Sequence, residues 1–87
     1  MELKDTIELM QSADYKDRFK AEYFQAVIRL KKLYAMLKKW ETGTLEFSPT
    51  SSKEDLYGQY AFMTGYIRIL SDRAIDEGIE LPSVENV

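Results

Sequence analysis

The chain contains no histidine and no cysteine among its 87 residues. Those two absences together remove disulfides, thiol catalysis and the commonest zinc ligands. No Gly-rich phosphate loop is present, and no elbow presents a nucleophilic serine. Asp72, Asp76, Glu77 and Glu80 could be assembled into an acid–base site, but at those spacings they read as a solvated helix face. No apolar run approaches the ~20 residues of a membrane span. Met1-Glu2-Leu3-Lys4-Asp5 carries no basic stretch ahead of an apolar one, so no signal peptide is expected. These exclusions leave a soluble cytoplasmic protein that is not an enzyme and needs no cofactor or metal.

What is present is helical periodicity. Phe19, Tyr23, Ala26, Leu30, Leu33, Leu37 and Trp40 recur at alternating spacings of four and three, the period that holds one apolar stripe against a partner helix. Leu56, Tyr60, Met63, Ile67, Leu70 and Ala74 repeat the rhythm later in the chain. Laid antiparallel, Trp40 meets Leu56, Leu33 meets Met63, Ala26 meets Leu70 and Phe19 meets Glu77. Small residues then face large ones, which lets the layers interdigitate.

The element boundaries have local signals. Leu3, Ile7 and Met10 suggest a short amphipathic helix with those residues turned inward. Ser12 or Asp14 offers an N-cap for the long helix that follows. Gly43 and Gly78 can close the two long helices in the left-handed conformation. Ser51-Ser52-Lys53-Glu54 fits a capping box with Glu54 reaching back. Leu45 and Phe47 are expected to fold over the hairpin tip near Trp40 and Leu56. The fold class predicted is all-α and a single domain: a short helix over about 2–11, a long helix over about 13–42, a loop over 43–52, a second long helix over about 53–77 and an extended tail over 78–87.

One apolar row remains unused. Phe24, Val27 and Tyr34 flank the first seam, and Phe62, Tyr66 and Ile69 flank the second. A two-helix hairpin has no interior for both extra rows; the N-terminal segment could cover one of them, and these six residues are the expected interface of a homo-oligomer. Gly58 and Gly65 lie seven apart inside the second helix; their options are local tolerance or the close approach of another subunit's helix or a ligand.

Net charge is -3, yet eight basic residues oppose two acidic ones between Lys16 and Lys39. The plainer reading is a basic helix laid against a mildly acidic one; the sharper is a face for phosphates. The six tyrosines bear on the same question. Tyr23, Tyr60 and Tyr66 sit on or beside the seams, whereas Tyr15 and Tyr57 lie in first helical turns. Tyr15 has Lys16 and Arg18 beside it, a grouping that can stack a base and hold its phosphate. Overall negative charge argues against a footprint on duplex nucleic acid.

Asp14-Tyr15-Lys16-Asp17-Arg18-Phe19-Lys20-Ala21-Glu22-Tyr23 and Asp72-Arg73-Ala74-Ile75-Asp76-Glu77-Gly78-Ile79-Glu80-Leu81, with Lys32-Leu33 and Met36-Leu37 between them, resemble a family of small helical proteins of tailed bacteriophages. That family is labelled after a gene product of a crAss-like gut phage. Its members show a Tyr-x-x-Arg near the start of the first long helix and an Arg before the last turn of the second; here these are Tyr15, Arg18 and Arg73. The plan of a short helix and a long hairpin is also similar to phage sponge proteins, which oligomerise and sequester cyclic nucleotide signals of bacterial immunity.

These resemblances imply a non-enzymatic anti-defence protein acting in the cytoplasm of an infected bacterium. Its ligand would be a phosphate-bearing cyclic nucleotide, with Tyr15 stacked on a base and Lys16, Arg18 and Arg73 on phosphates. The alternative is a protein-interaction module, an inhibitor of a host protein or a structural adaptor, working through the leftover apolar face.

Overall fold

A computed structural model describes residues 1–87 and is all-helical. Leu3–Thr6 form a 3-10 turn that runs into a one-turn helix α1, Ile7–Met10. The long helices are α2, Tyr15–Glu41, and α3, Lys53–Glu77, and a second 3-10 turn covers Val84–Asn86 in the tail. At about 1.5 Å per residue α2 is about 40 Å long, which sets the longest dimension of the molecule, 43 Å. The chain has no helix long and apolar enough to cross a membrane.

Each long helix starts at a side-chain cap. The Asp14 carboxylate accepts from the Lys16 amide at 2.9 Å, and the Ser52 hydroxyl accepts from the Asp55 amide at 3.1 Å. The second cap therefore falls one residue later than a box built on Ser51 and Glu54 would place it, and Asp55 occupies its third turn position. Gly78 closes α3 with φ 67°, and Gly43 follows α2 with φ 74°, a region where a Cβ would meet the neighbouring carbonyl.

The hairpin is antiparallel, as its cross-helix contacts require. Lys53 lies 4.9 Å over the Trp40 ring at the loop end, Tyr34 and Tyr60 pack ring to ring at 5.8 Å in the middle, and Arg73 lies 5.1 Å over Phe19 at the open end. Val27 and Leu70 are 0 % exposed and centre the core, with Phe19, Tyr23, Phe24, Ile28 and Leu30 around them. Leu33, a seam position by spacing, is only half-buried.

Phe24 and Val27 correct the interface reading: both are buried within the single chain. The N-terminal segment and the tail form the extra layer, since Leu3, Leu9, Val84 and Val87 pack against that core. The inward face of the N-terminal segment is also not the one expected. Ile7 and Met10 are about half exposed, whereas Thr6 is 1 % exposed. A 3-10 turn has about three residues per turn, so Leu3, Thr6 and Leu9 align instead of Leu3, Ile7 and Met10. Thr6 is satisfied there, donating to the Leu3 carbonyl at 2.8 Å and accepting from the Gln25 amide at 2.9 Å. Phe47 does not close over the tip; it is 58 % exposed.

Candidate functional site

The open end of the hairpin is built on the turn between α1 and α2. Ser12 holds it together: its hydroxyl donates to the Asp17 carboxylate at 2.8 Å and accepts from the Asp14 amide at 3.1 Å. Its carbonyl accepts from the Arg18 guanidinium at 2.7 Å. Arg18 is otherwise exposed, so one edge of the fork is fixed and the remaining donors face solvent. Tyr15, the first residue of α2, is 49 % exposed, and Lys16 beside it is half-buried.

Arg73 arrives at this end from α3. Its guanidinium lies 5.1 Å over the Phe19 ring and 3.8 Å from the Glu77 carboxylate. Phe19 is buried, follows Arg18 in sequence and lies one helical turn from Tyr15, so Arg73 reaches the same end of the hairpin as Tyr15 and Arg18. Guanidinium groups can meet a phosphate and an exposed tyrosine can meet a flat ring. No hollow of the single chain, however, is lined by Tyr15, Lys16, Arg18 or Arg73.

The hollows lie farther along the hairpin. Two adjoining ones, of about 240 and about 380 Å³, share Tyr34 and Tyr60. Lys38, Glu41 and Tyr57 line the first; Lys31 and Glu85 line the second. The Tyr57 hydroxyl donates to Glu41, and that hydrogen bond to the carboxylate raises the pKa of the phenol. Lys31 donates to the Val87 carbonyl at 3.0 Å and ties the tail to α2. This tyrosine-lined groove was not anticipated from the sequence. Its only signal was Tyr34 and Lys38 one turn apart on α2, with Tyr57 and Tyr60 one turn apart on α3.

A third hollow, of about 360 Å³, runs between α3 and the tail and is lined by Tyr23, Ser71, Ile79 and Pro82 among others. The Tyr23 hydroxyl donates to the Pro82 carbonyl at 2.8 Å. Burial raises its pKa, with Glu85 adding to the shift and the Ser71 hydroxyl opposing it. A fourth, of about 250 Å³, lies between Arg29 of α2 and Tyr66 of α3, where the Tyr66 hydroxyl donates to Glu22. No three His, Cys, Asp or Glu side chains converge on a possible metal position.

Of the remaining residues expected at an oligomer interface, Tyr34, Phe62, Tyr66 and Ile69 are exposed. Phe62 is the extreme, 83 % exposed in the middle of α3. Tyr34 and Tyr66 line hollows of the single chain; Phe62 and Ile69 line none.

Comparison with known proteins gives one match. The family model described as Sequestin aligns with residues 13–76, which takes in the two residues before α2, all of α2, the loop and α3 to its last turn. No curated protein and no solved structure matches the chain.

Proposed function

The chain belongs to the Sequestin family, and from that premise we propose that it sequesters a phosphate-bearing cyclic nucleotide. The capture is stoichiometric and without turnover, in a homo-oligomer, as an anti-defence protein of a bacteriophage acting in the cytoplasm of its host. The family name supports a sequestering role. The observation that supports the ligand class is at the open end, where Arg73 of α3 lies over the ring of Phe19, the residue that follows Arg18 in α2.

In this reading Tyr15 stacks on a base, while Lys16, Arg18 and Arg73 hold phosphate oxygens. Arg18 is pre-positioned by the Ser12 carbonyl, so less side-chain entropy is lost on binding. An arginine fork also suits a phosphate because it donates two parallel hydrogen bonds.

Isothermal titration calorimetry against cyclic dinucleotides, cyclic trinucleotides and cyclic ADP-ribose isomers tests the proposal. Binding of at least one, lost in Arg18→Ala and Arg73→Ala and recoverable intact after denaturing the complex, is the expected result. Absence of binding across the panel overturns it. The second reading, a protein-interaction module directed at a host factor, is favoured by one feature, the exposure of Phe62 on the outer side of α3.

A further inference from the structure

The outer face of α3 has no partner in the chain. Gly58, Phe62, Gly65 and Ile69 follow one another there at spacings of four, three and four, one stripe of a helix surface. It lies opposite the stripe of Met63, Ile67, Leu70 and Ala74 that packs on α2, of which Ile67, Leu70 and Ala74 are buried. The two bulky residues on the outer stripe are exposed, Phe62 by 83 % and Ile69 by 49 %. A Cβ added at Gly58 or at Gly65 would meet nothing within 4 Å. The fold of one chain therefore gives no reason for glycine at either place, although glycine disfavours a helix interior.

The two bulky residues are seven apart, and so are the two glycines. That equality makes the stripe self-complementary in one arrangement. We propose that two copies pack α3 against α3 antiparallel about a two-fold axis between residues 63 and 64, with Phe62 of each copy opposite Gly65 of the other and Ile69 opposite Gly58. One register satisfies all four contacts, because the sum of the facing residue numbers is the same for both pairs. Each ring or branched side chain enters the gap where the facing helix lacks a side chain, which is isologous packing of one patch on itself.

Charge favours this register on one flank and is opposed to it on the other, where the like charges are offset within the chain. Asp55 and Arg73 are separated by five helical turns on the same side of the stripe, and the antiparallel pairing brings Asp55 of each copy alongside Arg73 of the other. On the opposite flank Glu54 faces Asp72, whose carboxylate already lies 3.6 Å from Arg68 in its own chain. The loop end of one hairpin then lies beside the open end of the other. This rests on the reading that the protein self-associates, and it gives that association a face and a symmetry; it does not depend on which ligand is bound.

The chain has no cysteine, so introduced thiols report the register directly. In the proposed pair residue 54 faces residue 72 on one flank. Residue 54 of one copy lies about 28 Å along the axis from residue 54 of the other, and residue 72 about 25 Å from residue 72. Glu54→Cys and Asp72→Cys copies are therefore expected to form a disulfide when mixed and not when either is oxidised alone. Sedimentation equilibrium of the unmodified chain at micromolar concentration is expected to give a dimer or an even multiple of it. Gly65→Leu is expected to weaken association at least tenfold while its helical circular dichroism and thermal transition under monomeric conditions are kept, since the new side chain meets nothing in its own chain.

A monomer at all concentrations overturns the proposal, as does Gly65→Leu that assembles like the parent. Self-linking of either single-cysteine variant shows a parallel or different register and overturns it too. Nucleotide calorimetry on the same samples is scored separately, so a dimer that binds no nucleotide leaves this interface standing while refuting the ligand.

Discussion

At the scale of single residues, binding and stability are expected to separate. The Arg18 side chain makes one hydrogen bond, to the Ser12 carbonyl, and is exposed. Its removal should cost no more than about 1 kcal/mol, a shift of about 4–8 °C in melting temperature for a domain of this size. As a phosphate ligand it would contribute roughly 1.5–3 kcal/mol per charged hydrogen bond, so Arg18→Ala should weaken nucleotide binding tenfold or more. Leu70→Ala is the contrasting change. Leu70 is 0 % exposed in the core, and its truncation should destabilise the fold by about 2–5 kcal/mol. Leu70 is a better probe than Leu33, which the spacing places on the seam but the structure leaves half-buried. Thermal denaturation of both variants decides the matter: Arg18→Ala unfolding as readily as Leu70→Ala would make Arg18 a structural residue.

Tyr23 adds a pH dependence. Burial raises its pKa above the ordinary phenol value of 10.0, so the folded chain holds this proton more tightly than the unfolded one. The resulting stabilisation is fully present below the unfolded value and is lost as pH rises through the folded value. Denaturant midpoints measured from about pH 9 upward should therefore fall more steeply for the parent than for Tyr23→Phe. Parallel curves would show that burial of Tyr23 contributes nothing to the alkaline loss.

At the scale of elements, the two long helices were legible because several local rules agree there. The four-three seams, an N-cap before each helix and a glycine after each point to the same boundaries. Gly78 can be tested in isolation: with φ 67°, Gly78→Ala should cost about 1–2 kcal/mol, and an unchanged melting temperature would show that the closing turn relaxes freely. The N-terminal segment was legible as a helix but not in its orientation. Its first turn is 3-10 rather than α, which replaces Ile7 by Thr6 on the inner face, and a buried threonine does not announce itself among leucines. The candidate site divides the same way. An antiparallel pairing is enough to put Arg73 and Arg18 at the same end of the hairpin, whereas the tyrosine-lined groove depends on how far each helix is rotated about its own axis. Spacing leaves that angle open to a few tens of degrees, enough to turn Tyr34 from interface to groove.

At the scale of the whole molecule, the hairpin is completed by both ends of the chain. The buried row of Phe24, Val27 and Ile28 needs a third layer, and Leu3, Leu9, Val84 and Val87 supply it. The tail reaches this layer from Ile79, which is buried, and is fastened where Tyr23 donates to the Pro82 carbonyl and Lys31 to the Val87 carbonyl. Ending the chain after Leu81 should therefore cost more than the loss of a surface segment. Two partly buried valines contribute somewhat less than the ~1.5–3 kcal/mol each of full burial. The part-buried Tyr23 hydrogen bond adds about 1 kcal/mol, and the exposed Lys31 contact little. A loss of about 2–4 kcal/mol is expected from guanidinium denaturation, with the helical signal at 222 nm largely retained because α2 and α3 keep their mutual seam. The Tyr23 phenol should at the same time titrate closer to its ordinary value, since the truncation exposes it and removes Glu85. A truncated chain as stable as the parent, with Tyr23 still shifted, would show that the tail only rests on the hairpin and that α2 and α3 bury this row by themselves.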